Sequence, residues 1–107
     1  MPADAAAREG VPSERELDGV WRVVRTGGLL PPLAGVRKRI ANGRGETSLG
    51  PLPGAPFTVE GLSLVYRTPL RGFVDVLEPD SDGFSGRATF RGREYGRFVL
   101  RPLEDAQ

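Results

Sequence analysis

Asp75 has the most pointed setting of any acid in this 107-residue chain, alone between Val74 and Val76 inside an apolar run. Turned toward a cavity, its carboxyl would be pushed toward the neutral form by desolvation unless an arginine restored the charge. There it would act as a polar anchor or an acid. Turned outward, or paired with arginine, it would be an ordinary strand residue. Tyr66 and Tyr95 bring hydroxyls that can serve the same pocket or satisfy structural hydrogen bonds. Arg37, Lys38, Arg39 and Arg44 make the densest basic cluster. They can hold a carboxylate or phosphate head group, or lie solvated on a turn. Trp21, the only tryptophan, is either a core plug whose N–H needs an acceptor or a stacking surface for a ligand.

Hydrolytic and redox chemistry lack their usual parts. The chain has no cysteine, hence no thiolate nucleophile, disulfide or Zn–Cys site. It has no histidine either, which removes the usual general base, the commonest metal ligand and the proximal haem ligand. Ser48, Ser63, Ser81 and Ser85 have no such base to activate them, and Gly35, not a serine, stands three positions before Lys38. Asp80 and Asp82 alternate before Gly83 as in the start of a calcium loop, without its remaining ligands or closing glutamate. The glycine-rich stretches 26–28 and 43–45 lack the Lys-Ser/Thr of a phosphate loop. Glu78 and Asp75 fall on opposite sides of a regular strand. No enzyme activity, cofactor or metal is expected.

The elements that must position these residues are short. Gly 15 and Pro 10 make up nearly a quarter of the chain, which suits turns and strands better than long helices. From Leu62 onward four strands follow one another, over residues 62–67, 72–79, 83–92 and 93–103. Thr68–Gly72, Pro79–Gly83 and Arg91–Arg93 separate them, with proline presetting one turn dihedral and glycine taking positive φ. Strands recurring roughly every ten residues predict an all-β, antiparallel fold, here a small up-and-down β-barrel. An earlier strand runs over Leu17–Arg25 and stops at Thr26-Gly27-Gly28. After it, Leu29, Leu30, Leu33, Val36 and Ile40 recur at roughly helical spacing. They predict a short helix starting at the prolines, or an irregular apolar turn, that plugs one barrel end. Residues 41–56 read as a loop with at most a short strand around Glu46–Leu49. Phe57–Glu60 then forms a strand joined through Gly61 to the meander.

Faces can be assigned in part. Phe84, Gly86, Ala88 and Phe90 are expected on one side of their strand, and Ser85, Arg87, Thr89 and Arg91 on the other. Phe98 and Leu100 point inward, Arg97 and Arg101 outward. Residues 62–66 and 72–77 are apolar on both faces, so a homodimer through the outer one is expected. Residues 1–15 read as a mobile tail and 16–107 as one barrel domain. Early acids and no apolar run predict neither a signal peptide nor a membrane anchor, and a cytoplasmic setting. Every basic residue but Lys38 is arginine, a bias that fits a GC-rich genome.

Gly19-x-Trp21 opening the first strand, the antiparallel meander, and Arg101 ending Phe98-Val99-Leu100-Arg101 resemble the lipocalin-like, or calycin, barrels. That resemblance implies a tryptophan packed at the closed barrel end with the last-strand arginine across it, and a hydrophobic ligand inside. The chain also looks like the bacterial GXWXG-motif proteins, whose function is unknown. The likeness runs through Trp21, Leu29–Arg39, and Leu64-Val65-Tyr66-Arg67-Thr68-Pro69 followed by Asp75. Val23 stands where the second glycine of that motif belongs, and the spacing from Pro69 to Asp75 is longer. Fold alone does not fix function.

Two functions are therefore expected as alternatives. One is a non-catalytic barrel that binds a small hydrophobic or amphipathic ligand. Trp21, Leu33, Phe57, Leu64, Tyr66, Asp75 and Phe90 would line or shut its cavity, with Arg37 beside the plug. A small barrel can be filled by its own side chains, so an interior below roughly 300 Å³ would count against a ligand. The other is a structural or interaction module acting as a homodimer. Nucleic-acid binding through Arg87, Arg91, Arg93 and Arg97 is disfavoured by a net charge of only +1.

Overall fold

The computed structural model of the chain describes residues 14–30, 33–50 and 54–103. A 3-10 turn at Glu14–Leu17 leads into eight strands. They are β1 (Gly19–Gly28), β2 (Val36–Ala41), β3 (Arg44–Leu49), β4 (Ala55–Glu60), β5 (Ser63–Tyr66), β6 (Phe73–Asp80), β7 (Gly83–Phe90) and β8 (Arg93–Pro102). Each pairs antiparallel with the next, and β8 pairs back onto β1, closing an up-and-down barrel. Closure removes the free sheet edge that an open meander would present. The all-β antiparallel barrel expected from the turn chemistry is the fold found. No helix among the described residues is long and apolar enough to cross a membrane.

Side-chain alternation fills the interior. Phe84, Gly86 and Ala88 of β7 are buried while Arg87 is exposed; Gly96, Phe98 and Leu100 of β8 are buried while Arg97 is exposed. Leu17, Trp21, Ile40, Val59, Leu77, Phe84 and Leu100 close the barrel end at which β1 begins. There the Trp21 indole donates to the Leu17 carbonyl at 2.8 Å and meets the Phe84 ring edge-on at 5.5 Å. Trp21 is thus a core plug with its N–H satisfied, the structural one of its two readings.

Four expectations need correction. Val36–Ala41 is a strand, not the end of a helix: Lys38 and Ile40 are buried between exposed Arg37, Arg39 and Ala41. The stretch 41–56, expected as a loop with at most a short strand around Glu46–Leu49, holds all of β3 and the start of β4. Asn42 (φ 57°) and Gly43 (φ 80°) supply the two left-handed residues that a tight β2–β3 hairpin demands. Phe90 is not inward. A register shift between Ala88 and Thr89 turns it out of alternation, leaving it 39% exposed with its ring 4.6 Å from that of Phe73. Lastly, Val74 and Val76 make the outer face of β6 while Asp75 and Leu77 are buried, so that strand presents a polar group inward.

Between β1 and β2 the described residues, 29, 30 and 33–35, form no helix and make an apolar plug. Leu30 and Leu33 pack half-buried against the core. Leu30 sits directly over Gly96, where a Cβ would collide with it. Arg25 pins this turn, donating to the Leu30 carbonyl at 2.7 Å and the Gly28 carbonyl at 2.9 Å. Pro31 and Pro32, where a helix was expected to start, lie outside the described residues, as do residues 1–13 of the expected tail.

Candidate functional site

Strand β2 carries Lys38 on its inward face, and closure of the ring places β6, with Asp75, on the opposite wall. A lysine side chain is long enough to cross so narrow a lumen. Its Nζ lies 3.0 Å from Asp75 Oδ2, with the two side chains only 4% and 9% exposed. The ammonium also donates to Thr47 Oγ1 and to the Tyr66 hydroxyl, each at 2.7 Å. Thr47 stands directly opposite Lys38 in the β2–β3 ladder, which is why its hydroxyl is in reach. Tyr66 stands opposite Phe57 in the β4–β5 ladder, their rings meeting edge-on at 5.4 Å. Tyr66 OH lies 3.2 Å from Asp75 Oδ2 and 2.6 Å from Thr47 Oγ1, so the four polar residues form one network.

Aromatic rings enclose the ammonium. The centroids of Phe57, Tyr66 and Phe98 lie 5.6, 5.3 and 5.5 Å from Lys38 Nζ, within range of the ring quadrupoles. Phe98 reaches this position because Gly86 has no side chain; a Cβ there would run into its ring. Burial works against a charged Lys38, but the Asp75 carboxylate and the contact with Tyr66 outweigh it and raise its pKa above the usual 10.5. Burial also raises the Tyr66 phenol above 10.0, against the pull of the ammonium. Both groups therefore keep their protons at neutral pH.

Between this network and the barrel end at which β1 finishes lies a cavity of about 210 Å³. Leu30, Leu33, Val36, Phe73 and Tyr95 form its walls, and Lys38, Thr47, Tyr66 and Asp75 its polar floor. Tyr95 stands edge-on to Phe73 at 6.0 Å. Burial raises the pKa of its phenol too, helped by the nearby Asp75 charge.

Of the residues expected from sequence to line or shut a pocket, Leu33, Tyr66 and Asp75 line this cavity. Phe57 and Leu64 are fully buried in the core without lining it, and Trp21 closes the far end. Phe90 is outside. Arg37 is exposed on the outer face, paired in register with Arg22, so the basic cluster is split between Lys38 inside and its arginines outside. Arg101 turns to Asp80 at 3.1 Å and does not lie across Trp21, unlike the arrangement that the calycin resemblance implies. Lys38 was expected only within the basic cluster, as a head-group contact or on a solvated turn, and not inside the barrel, while Thr47 and Phe73 were left out. The alternation Val36-x-Lys38-x-Ile40 was the signal that could have placed the lysine inside.

No group of three or more metal-ligating side chains comes together among the described residues. No family model, curated protein or solved structure matches the chain. The closed eight-stranded antiparallel barrel is compatible with a lipocalin-like barrel.

Proposed function

We propose that the protein is a non-catalytic barrel that receives one small, largely apolar molecule between its plug and the Lys38–Asp75 floor. The cavity of about 210 Å³ carries this reading. It falls short of the roughly 300 Å³ limit set from the sequence, which counts against the lipid-like or amphipathic ligand expected there and leaves room only for a smaller molecule. It exceeds the roughly 150 Å³ of an apolar cavity that admits benzene. The ligand is therefore a single ring or a short chain with at most a small polar group.

Support for a binding role over a catalytic one comes from the proton states. A nucleophilic lysine works as the free amine, reached by a lowered pKa, whereas Asp75 and Tyr66 push that of Lys38 upward against the effect of burial. Likewise the Tyr66 phenol is pushed away from the phenolate a general base would need.

Thermal denaturation tests the reading. Toluene or cyclohexanol at millimolar concentration should raise the Tm, since a ligand at a hundred times its Kd adds about 2.7 kcal/mol to the folded state. Ala88 lines the cavity directly opposite Asp75 in the β6–β7 ladder. The variant Ala88→Leu fills that space and should stay folded while losing the response. No rise with any small apolar compound, or an equal rise in the variant, contradicts the proposal.

A further inference from the structure

The floor of the cavity has its hydrogen atoms committed. Lys38 directs its three ammonium hydrogens to Thr47 Oγ1, Tyr66 OH and Asp75 Oδ2. The Tyr66 hydroxyl hydrogen faces Asp75 Oδ2, which leaves the Thr47 hydroxyl to donate to the Tyr66 oxygen across their 2.6 Å contact. The network is closed on its donor side.

Its acceptor side is open. Both bonds that reach the Asp75 carboxylate end on Oδ2. Among the described residues none donates to Oδ1, and no buried side-chain oxygen is left without a partner. Oδ1 is therefore reached from the cavity that Asp75 lines, although the side chain as a whole is 91% buried by its 9% exposure. Tyr95 also lines the cavity; its hydroxyl makes no hydrogen bond among the described residues and, since no buried side-chain oxygen is unpartnered, it too is open to solvent. A phenol hydroxyl can donate or accept.

Resting on the small-molecule reading above, we propose that the cavity selects a neutral, hydroxyl-headed ring or short chain over a carboxylate of the same size. A ligand O–H can donate to Asp75 Oδ1 and, where it reaches, accept from Tyr95. A ligand carboxylate has no hydrogen to give and meets the Asp75 charge, while every Lys38 hydrogen is already engaged. A ligand ammonium has the hydrogen but adds a positive charge to a floor that Lys38 and Asp75 leave neutral, and burying an unpaired charge is costly. The selectivity thus comes from which atoms remain unbonded, with the overall charge of the floor balanced.

Isothermal titration of the full chain at pH 7 with phenol, toluene and benzoate tests this. Phenol should bind roughly tenfold or more tightly than toluene, the usual gain from a hydrogen bond to a charged acceptor, and benzoate more weakly than either. In Lys38→Met/Asp75→Leu the advantage of phenol over toluene should disappear. Benzoate binding as tightly as phenol, or toluene matching phenol in the unaltered protein, overturns the selectivity and leaves small-molecule binding standing. No binding of any of the three overturns small-molecule binding itself, and the selectivity with it.

Discussion

At the scale of single residues, Lys38 is the side chain on which the interior depends. Removing one partner of a buried ion pair leaves the other charge uncompensated, a loss of about 3–5 kcal/mol, whereas replacing both with apolar groups is often neutral or better. Lys38→Met should therefore destabilise the barrel by about that amount in urea denaturation, and Lys38→Met/Asp75→Leu should be more stable than Lys38→Met alone. The pH dependence has a definite sign. The folded protein holds the Lys38 and Tyr66 protons more tightly than the unfolded chain, whose values are near 10.5 and 10.0. Their contribution is complete below those values and is lost as pH rises through the higher folded ones. The urea midpoint should thus fall above about pH 10, less steeply in the double variant; a steeper fall in that variant contradicts the assignment. Asp75 and Tyr66 were legible in the sequence because an acid in a valine run and a tyrosine ending an apolar strand are conspicuous. Lys38 was not, because its neighbours Arg37 and Arg39 make it look like part of a solvated run.

At the scale of elements, turn chemistry decided what could be read. The meander from β5 to β8 was legible since glycine, joined at two of the reversals by proline or aspartate, falls between apolar runs. β2 was hidden for two reasons, and of β3 only the part around Glu46–Leu49 was foreseen. Leucines of the plug extend an apparent helical period into β2, and an inward lysine breaks the apolar alternation of that strand. Asn42-Gly43, a strong two-residue hairpin signal, was present between them. The β7 bulge had no such marker, so Phe90 was assigned to the wrong face. Close packing of β7 against β8 gives a sharper test. A Cβ at Gly86 collides with the Phe98 ring, whereas one at Gly27 in β1 meets nothing within 4 Å. Gly86→Ala should cost about 1–3 kcal/mol through overpacking, and Gly27→Ala should stay within about 0.5 kcal/mol. Equal urea midpoints for the two variants would show that Phe98 is free to move, and with it one wall of the Lys38 enclosure.

The whole molecule is a barrel with unequal ends. Trp21, Leu17 and Phe84 seal the end where β1 begins, and the apolar plug only partly covers the other. An eight-stranded barrel has room for its own side chains or for one small ligand. Here, side chains fill one half, and an ion pair separates that half from the cavity. Nothing in composition reveals that division, which depends on how far Lys38 reaches across the lumen. Two-dimensional 1H–15N NMR of the labelled protein during a phenol titration examines the interior most directly. Saturable shifts confined to Val36, Lys38, Thr47, Asp75, Ala88 and Tyr95, with the Trp21 end unmoved, are the expected result. An unchanged spectrum at high phenol concentration, or shifts only on the outer face, would contradict a ligand site inside the barrel.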